Sequence, residues 1–98
     1  MKQIEYISSG LEDLIGAAQF YESERAGLGS EFLDAVSKTA DSIQQNSELW
    51  AFCQKPVRSV RVSRFPYRLF YWESANMIQV AAVAHLTRRP NYWQVRAK

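Results

Sequence analysis

Along the first half of the chain apolar residues recur at three- and four-residue spacing, and along the second half they alternate or run together. The change near residue 50 predicts helices first and strands afterwards. Leu11, Leu14, Ile15, Ala18 and Tyr21 form one helical stripe, with Glu12, Asp13, Gln19 and Glu22 off it. Ser9 and Glu12 have the S-x-x-E form of a capping box and open that helix. Ala26-Gly27-Leu28-Gly29 ends it, because glycine takes the left-handed conformation that closes helices. Ser30 is placed to cap a second helix, with Glu31 and Asp34 favouring its positive dipole end. The second buried stripe reads Phe32, Leu33, Val36, Ala40 and Ile43, and Asn46-Ser47 stops it. So short a link makes the two helices an antiparallel hairpin.

Residues 2–8 precede the helices as a short extended segment with Ile4 and Tyr6 on one face. Residues 50–54 connect helix to sheet, with Trp50 as an aromatic anchor. Residues 57–65 read as a strand that sets Val60 and Val62 on one side and Arg61 and Ser63 on the other. Residues 67–72 form the next, with Tyr67, Leu69 and Tyr71 on one face and Arg68, Phe70 and Trp72 on the other. Glu73-Ser74-Ala75-Asn76 suits a hairpin turn in which Asn76 takes positive φ. Residues 77–85 are nearly all apolar, as a strand covered on both faces would be. The order is β-α-α-β-β-β. It predicts an α+β domain, a helical hairpin packed on a mostly antiparallel four-stranded sheet, over residues 1–98.

Composition narrows the class. A chain of 98 residues with 47% hydrophobic content is one globular domain. The single cysteine, Cys53, excludes an internal disulfide and a multi-cysteine metal site, and reads as a small buried hydrophobe in a reducing compartment. No run approaches a membrane span and no signal peptide is visible, so a cytoplasmic location is expected. The net charge of +2 conceals a division: residues 1–48 hold nine acidic side chains against three basic, and residues 49–98 nine basic against one acidic. A cationic surface for an anionic partner follows, whether nucleic acid or an acidic protein segment.

The motifs of several enzyme classes are missing: no phosphate loop, no G-x-S-x-G elbow, no H-E-x-x-H. The lone histidine supplies no His-rich metal site, and neither metal nor cofactor is called for. Any chemistry would run on arginines, His85 and tyrosines, a set suited to phosphate because guanidinium forks grip its oxygens. Arg68 is the oddest of these, a guanidinium inside the aromatic strand Tyr67-Arg68-Leu69-Phe70-Tyr71, where it must reach water, an anion or a carboxylate. A carboxylate from the acidic helices is one such partner. Tyr92 would need a strongly lowered pKa to serve as a base.

The segment Val60-Arg61-Val62-Ser63-Arg64-Phe65-Pro66-Tyr67-Arg68-Leu69-Phe70-Tyr71 is followed by Ile78-Gln79-Val80-Ala81-Ala82-Val83-Ala84-His85 and Arg88-Arg89-Pro90-Asn91-Tyr92-Trp93. This arrangement closely resembles the RelE/ParE superfamily, the toxins of bacterial type II toxin–antitoxin modules. Leu11-Glu12-Asp13-Leu14, Phe20-Tyr21-Glu22 and Gly27-Leu28-Gly29-Ser30-Glu31-Phe32 extend the likeness through the helices, so it spans nearly the whole chain. It implies the fold above, growth inhibition, and an antitoxin as partner, with any operator binding left to that antitoxin.

The superfamily holds two activities on one fold: cleavage of mRNA on the ribosome, and inhibition of DNA gyrase without nuclease chemistry. In the nuclease reading the resemblance gives Arg68 the phosphate, His85 and Tyr92 proton-handling positions, and Arg61 and Arg64 the groove. Arg88 and Arg89 read as a contact surface for target or antitoxin. The chain carries arginines where the nuclease branch is lysine-rich, and Leu86 where that branch has a basic residue. Its ending looks more like ParE-like, plasmid-stabilisation-like proteins, so the gyrase reading is preferred and the nuclease reading kept as the alternative. An inactive member that only binds its antitoxin is a third.

Overall fold

A computed structural model describes residues 2–87, and the following concerns those residues. Strand β1 (Gln3–Tyr6) leads into helices α1 (Ser8–Glu24) and α2 (Leu28–Gln45). Four strands follow: β2 (Phe52–Gln54), β3 (Val57–Arg61), β4 (Tyr67–Glu73) and β5 (Met77–His85). They form one sheet in the order β1-β5-β4-β3-β2, antiparallel except where β1 runs parallel to β5. The expected α+β architecture is present, with one strand more than expected. Residues 52–54, read as a connector, pair with Val57 and Arg58 and make the sheet five-stranded. Three residues are too few to show an alternating pattern, so no periodicity marked them.

Both helices lie on one face of the sheet. Phe32, Val36 and Ile43 of α2 meet Val60, Leu69, Tyr71, Ile78, Val80 and Val83 in the main core. On the other face a small cluster of Val57 and Ala82 is flanked by Phe70 and Trp72. β5 therefore has apolar cover on both sides, as its unbroken apolar run requires.

The stripe of α1 is rotated from the one expected. Gly10 and Ala17 are buried and Leu14, Ala18 and Tyr21 pack on the core, whereas Leu11 and Ile15 stand nearly half exposed. The cause is Gly10, whose backbone lies against β5 so closely that a Cβ there would sit 2.5 Å from the Val80 carbonyl oxygen. That approach fixes which side of the helix faces the sheet, and 10, 14, 17 and 21 then fall on it. On α2 the buried set gains Ala35 and Thr39, while Leu33 is exposed.

The helix ends differ from expectation in who caps them. α1 begins after Ile7, whose N–H donates to the Val80 carbonyl, and Ser9 donates its hydroxyl to the Ala81 carbonyl instead of closing a box with Glu12. Gly27 is the N-cap of α2 at φ 88°, and the Glu22 carboxylate accepts from the Gly27 and Gly29 N–H groups. An acidic side chain of α1 thus caps α2, a role expected of Ser30. β3 stops at Arg61, short of residue 65, because the chain turns through Arg64 at φ 75° and Val62 donates to the Tyr67 carbonyl. Arg64, not Asn76, is the non-glycine residue with positive φ among the described residues.

Glu73, the last residue of β4, ties the segment before β1, the turn after α2 and β3 together. It accepts from Lys2 Nζ at 2.7 Å and Ser47 Oγ at 2.8 Å, with the Arg58 guanidinium 3.9 Å away. The Lys2 hydrogen bond, helped by Ser47 and Arg58, holds its carboxyl below the usual range against the opposing effect of burial. A depressed carboxylate contributes stability above its unfolded pKa and loses it as pH falls through the folded one. Glu73→Gln is therefore expected to cost roughly 1–2 kcal/mol near neutral pH and nothing after full protonation. Urea unfolding at pH 7 and at successively lower pH, where the difference between the two proteins should shrink, checks both parts.

Candidate functional site

Of the predicted catalytic residues, the two that lie among the described residues, Arg68 and His85, do not converge. Arg68 and His85 sit on opposite faces of the sheet. Arg68 pairs in register with Arg61 on one side and Ala84 on the other, on the face turned away from the helices. His85 pairs with Tyr67, its ring edge-on to Tyr67 with centroids 5.2 Å apart, on the face that carries α1. Adjacent strand positions point to opposite faces, so one residue of register is enough to part the two groups. Tyr92, Arg88 and Arg89 lie outside the described residues.

Arg68 is half-buried and donates from Nη1 to Ser59 Oγ at 3.1 Å. The carboxylate partner weighed for it is not found among the described residues. Arg61 stands opposite it, exposed, and has no carboxylate partner among the described residues either. Like charges directly across a strand pair repel, so the pair is a local accumulation of positive potential. Phe70 and Trp72 continue this face beyond Arg68, and Trp72 Nε1 donates to Gln79 Oε1 at 2.9 Å. Chemically the face can hold an anion and stack a planar group.

The other cations of the second half are partly spent. Arg64 donates to Glu31 at 2.8 Å, and Glu31 also meets Arg25 at 3.4 Å. The Arg64 hydrogen bond leads in holding the Glu31 carboxyl below its ordinary range. Arg58, which the sequence reading did not single out, is structural. It donates to the Trp50 carbonyl at 2.6 Å and stacks over the Phe52 ring at 3.8 Å. Cys53 is exposed rather than buried, since β2 is the edge strand; its thiol donates to the Val57 carbonyl at 3.4 Å.

On the helix face a shallow concavity of about 310 Å³ is lined by Glu12, Asp13, Gly16, Phe20, Tyr67 and His85, among others. Asp13 accepts from the Val83 N–H at 3.1 Å. His85 Nδ1 accepts from the Thr87 N–H at 3.1 Å, which leaves the proton of the neutral ring on Nε2. Burial first, and then Tyr21 and Asp13, push the Tyr67 hydroxyl above its ordinary pKa, and Tyr71 is pushed up to about 12 by burial. Neither tyrosine is tuned toward a base.

A third feature was foreseen only in part, through Arg61 and Arg64 as groove residues and Trp50 as an anchor. Between α2 and β3 lies a concavity of about 360 Å³ bordered by Glu31, Asp34, Lys38, Trp50, Arg61 and Arg64, among others. Its signal in the sequence was slight: a lysine within an acidic helix and an isolated tryptophan after it.

No family model matches the chain, and no curated protein matches it significantly. Among solved structures the chain is similar to a chain of "Chromosomal ParDE TA system from P. aeruginosa". The TM-score is 0.72 at 15% identity, covering 87% of this chain and 96% of that one. No helix among the described residues is long and apolar enough to cross a membrane. A TM-score of 0.72 over 87% of this chain and 96% of the other gives this protein the fold of that ParDE chain.

Proposed function

We propose that this chain is the toxin component of a type II toxin–antitoxin module, growth-inhibiting and neutralised by a cognate antitoxin. The observation that carries the reading is the fold likeness, over 87% of this chain, to a chain of a ParDE system, which agrees with the motif resemblance through the helices and strands. The preferred action is ParE-like: inhibition of DNA gyrase by binding, without bond cleavage. Support comes from the separation of Arg68 and His85 on opposite faces. A ribonuclease that uses the 2′-OH as nucleophile needs a base, an acid and a charge stabiliser around one phosphate. Tyr67, the tyrosine beside His85, has its pKa raised rather than lowered.

One observation favours the alternative, an mRNA endoribonuclease acting on the ribosome. The Arg61–Arg68 pair on an aromatic face would suit a phosphate backbone with stacked bases. The two readings part in a paired assay of the purified chain. The gyrase reading expects supercoiling to be blocked and mRNA on translating ribosomes to stay whole. Cleaved mRNA, abolished by Arg68→Ala, would overturn it in favour of the nuclease.

A further inference from the structure

β1 pairs only with residues 77–80 of β5, so the rest of β5 has a free edge beside α1. Side chains of α1 stand in there for a strand: Ser9 donates to the Ala81 carbonyl, and Asp13 accepts from the Val83 N–H. The Leu86 N–H donates to the Pro66 carbonyl across the hairpin, which makes 83 and 85 the positions whose backbone groups turn away from β4. The Val83 carbonyl and the His85 N–H therefore point to the free edge, and no strand among the described residues lies beside them.

This edge borders the concavity of about 310 Å³ on the helix face. Opposite it, Glu12, Gly16 and Phe20 follow one another at four-residue spacing along α1 and so stand in one line. The line has a carboxylate at one end and an exposed aromatic ring at the other. Between them is a gap, since a Cβ at Gly16 meets nothing within 4 Å. Tyr67 and His85, their rings packed edge-on, line the same space.

The chemistry of this slot is that of a host for an organic cation with an apolar stem. Glu12 has no ion pair among the described residues, and Asp13 adds a second negative charge beside it. The two carboxylates and the Val83 carbonyl are acceptors, so the ligand brings the donors. A guanidinium suits them better than an ammonium. Its planar fork donates to a carboxylate and a carbonyl together, and its flat face and stem pack on aromatic rings.

We propose that this concavity binds an alkylguanidinium. The head group pairs with Glu12 and donates to the Val83 carbonyl, and the stem lies over Gly16 against Phe20 and Tyr67. A free guanidino compound and an arginine side chain of a protein segment along the β5 edge offer the same chemistry. The site does not depend on the toxin reading.

The test titrates the full chain, labelled with ¹⁵N, with butylguanidinium, with its neutral isostere butylurea, and with butylammonium. Butylguanidinium is expected to shift the Gly16, Val83 and His85 amides saturably. It should bind about fivefold or more tightly than either of the others, with its margin over butylurea shrinking as salt rises. Glu12→Gln should remove that margin, and Gly16→Leu should block binding by filling the gap. The remaining amide resonances should hold their places in both variants, since both positions are exposed. A blocked Gly-Arg-Gly tripeptide separates the two sources. Tighter binding than butylguanidinium, with a larger His85 shift, supports the site and assigns it to a protein's arginine; binding no tighter supports it and assigns it to a free compound. Butylurea or butylammonium binding as tightly as butylguanidinium, no saturable shift, or unchanged binding in Glu12→Gln or Gly16→Leu would overturn the proposal.

Discussion

Replacing Phe32 by alanine is expected to unfold much of this domain at physiological temperature. Phe32 is fully buried, and its ring meets Tyr21, Phe65 and Tyr67 with centroids 5.0 to 5.2 Å apart. These rings come from α1, α2, β4 and the turn before β4, so they join the helical hairpin to the sheet. Truncating a buried phenylalanine costs roughly 3–5 kcal/mol, because the transfer energy is lost and neighbouring rings cannot close the cavity. In a domain this small each kcal/mol lowers Tm by about 4–8 °C, so a fall beyond 10 °C is expected. Phe32→Leu, which keeps most of the volume, should lose less than half as much. Thermal melts followed by circular dichroism give both numbers.

The second large effect compares two glycines of one helix. At Gly10 a methyl group would meet the Val80 carbonyl oxygen at 2.5 Å and the Ala81 carbonyl carbon at 3.3 Å. These are backbone atoms in the centre of β5, and they cannot swing aside as a side chain would. Gly10→Ala must therefore lift the start of α1 from the sheet, at a cost of roughly 1–3 kcal/mol as in other overpacked cores. At Gly16 a Cβ meets nothing within 4 Å. There alanine only restricts the unfolded chain and improves helix propensity, so Gly16→Ala should stabilise by about 0.5–1 kcal/mol. The same substitution six positions apart is expected to change sign. Chemical denaturation of the two variants decides it, and a neutral Gly10→Ala would contradict the close approach that orients α1.

That approach also explains which parts of the molecule were legible in the sequence. Element types follow from period, and β5 emerges with the bounds its apolar run suggests, Met77–His85. The alternation of Tyr67, Leu69 and Tyr71 against Arg68, Phe70 and Trp72 holds, and the latter row faces away from the helices. What periodicity does not encode is a glycine chosen for contact. Leu11 and Ile15 belong to an apolar stripe, yet Gly10 turns a neighbouring side of α1 to the sheet. Capping was misassigned for a related reason: the Glu22 carboxylate reaches across the interhelical turn, a tertiary contact that local motifs do not reveal. β2 is held by partners rather than by its own pattern.

At the site, the sequence picked Arg61 and Arg68 as cations of interest, and the register sets them side by side. It did not show that His85 projects from the opposite face, because residues that look adjacent in a motif are separated by a single step of strand alternation. The α2–β3 concavity was hidden because its residues come from two halves of opposite charge. The acidic character of residues 1–48 masked Lys38, and the pairing of Glu31 with Arg64 shows that the two halves partly neutralise one another where they meet. Among the described residues Lys38, Arg61 and Arg68 have no carboxylate partner, and they are available to a partner or target.

The central claim is that this chain arrests growth and that a partner relieves the arrest. The measurement that tests it most directly is growth of a bacterial culture in which the chain is induced alone, or together with the reading frame adjoining its gene. Induction alone is expected to stop growth within a few generations, and co-induction to restore it, with both products recovered as one complex. Unimpeded growth with the folded chain accumulating in the cells would contradict the claim.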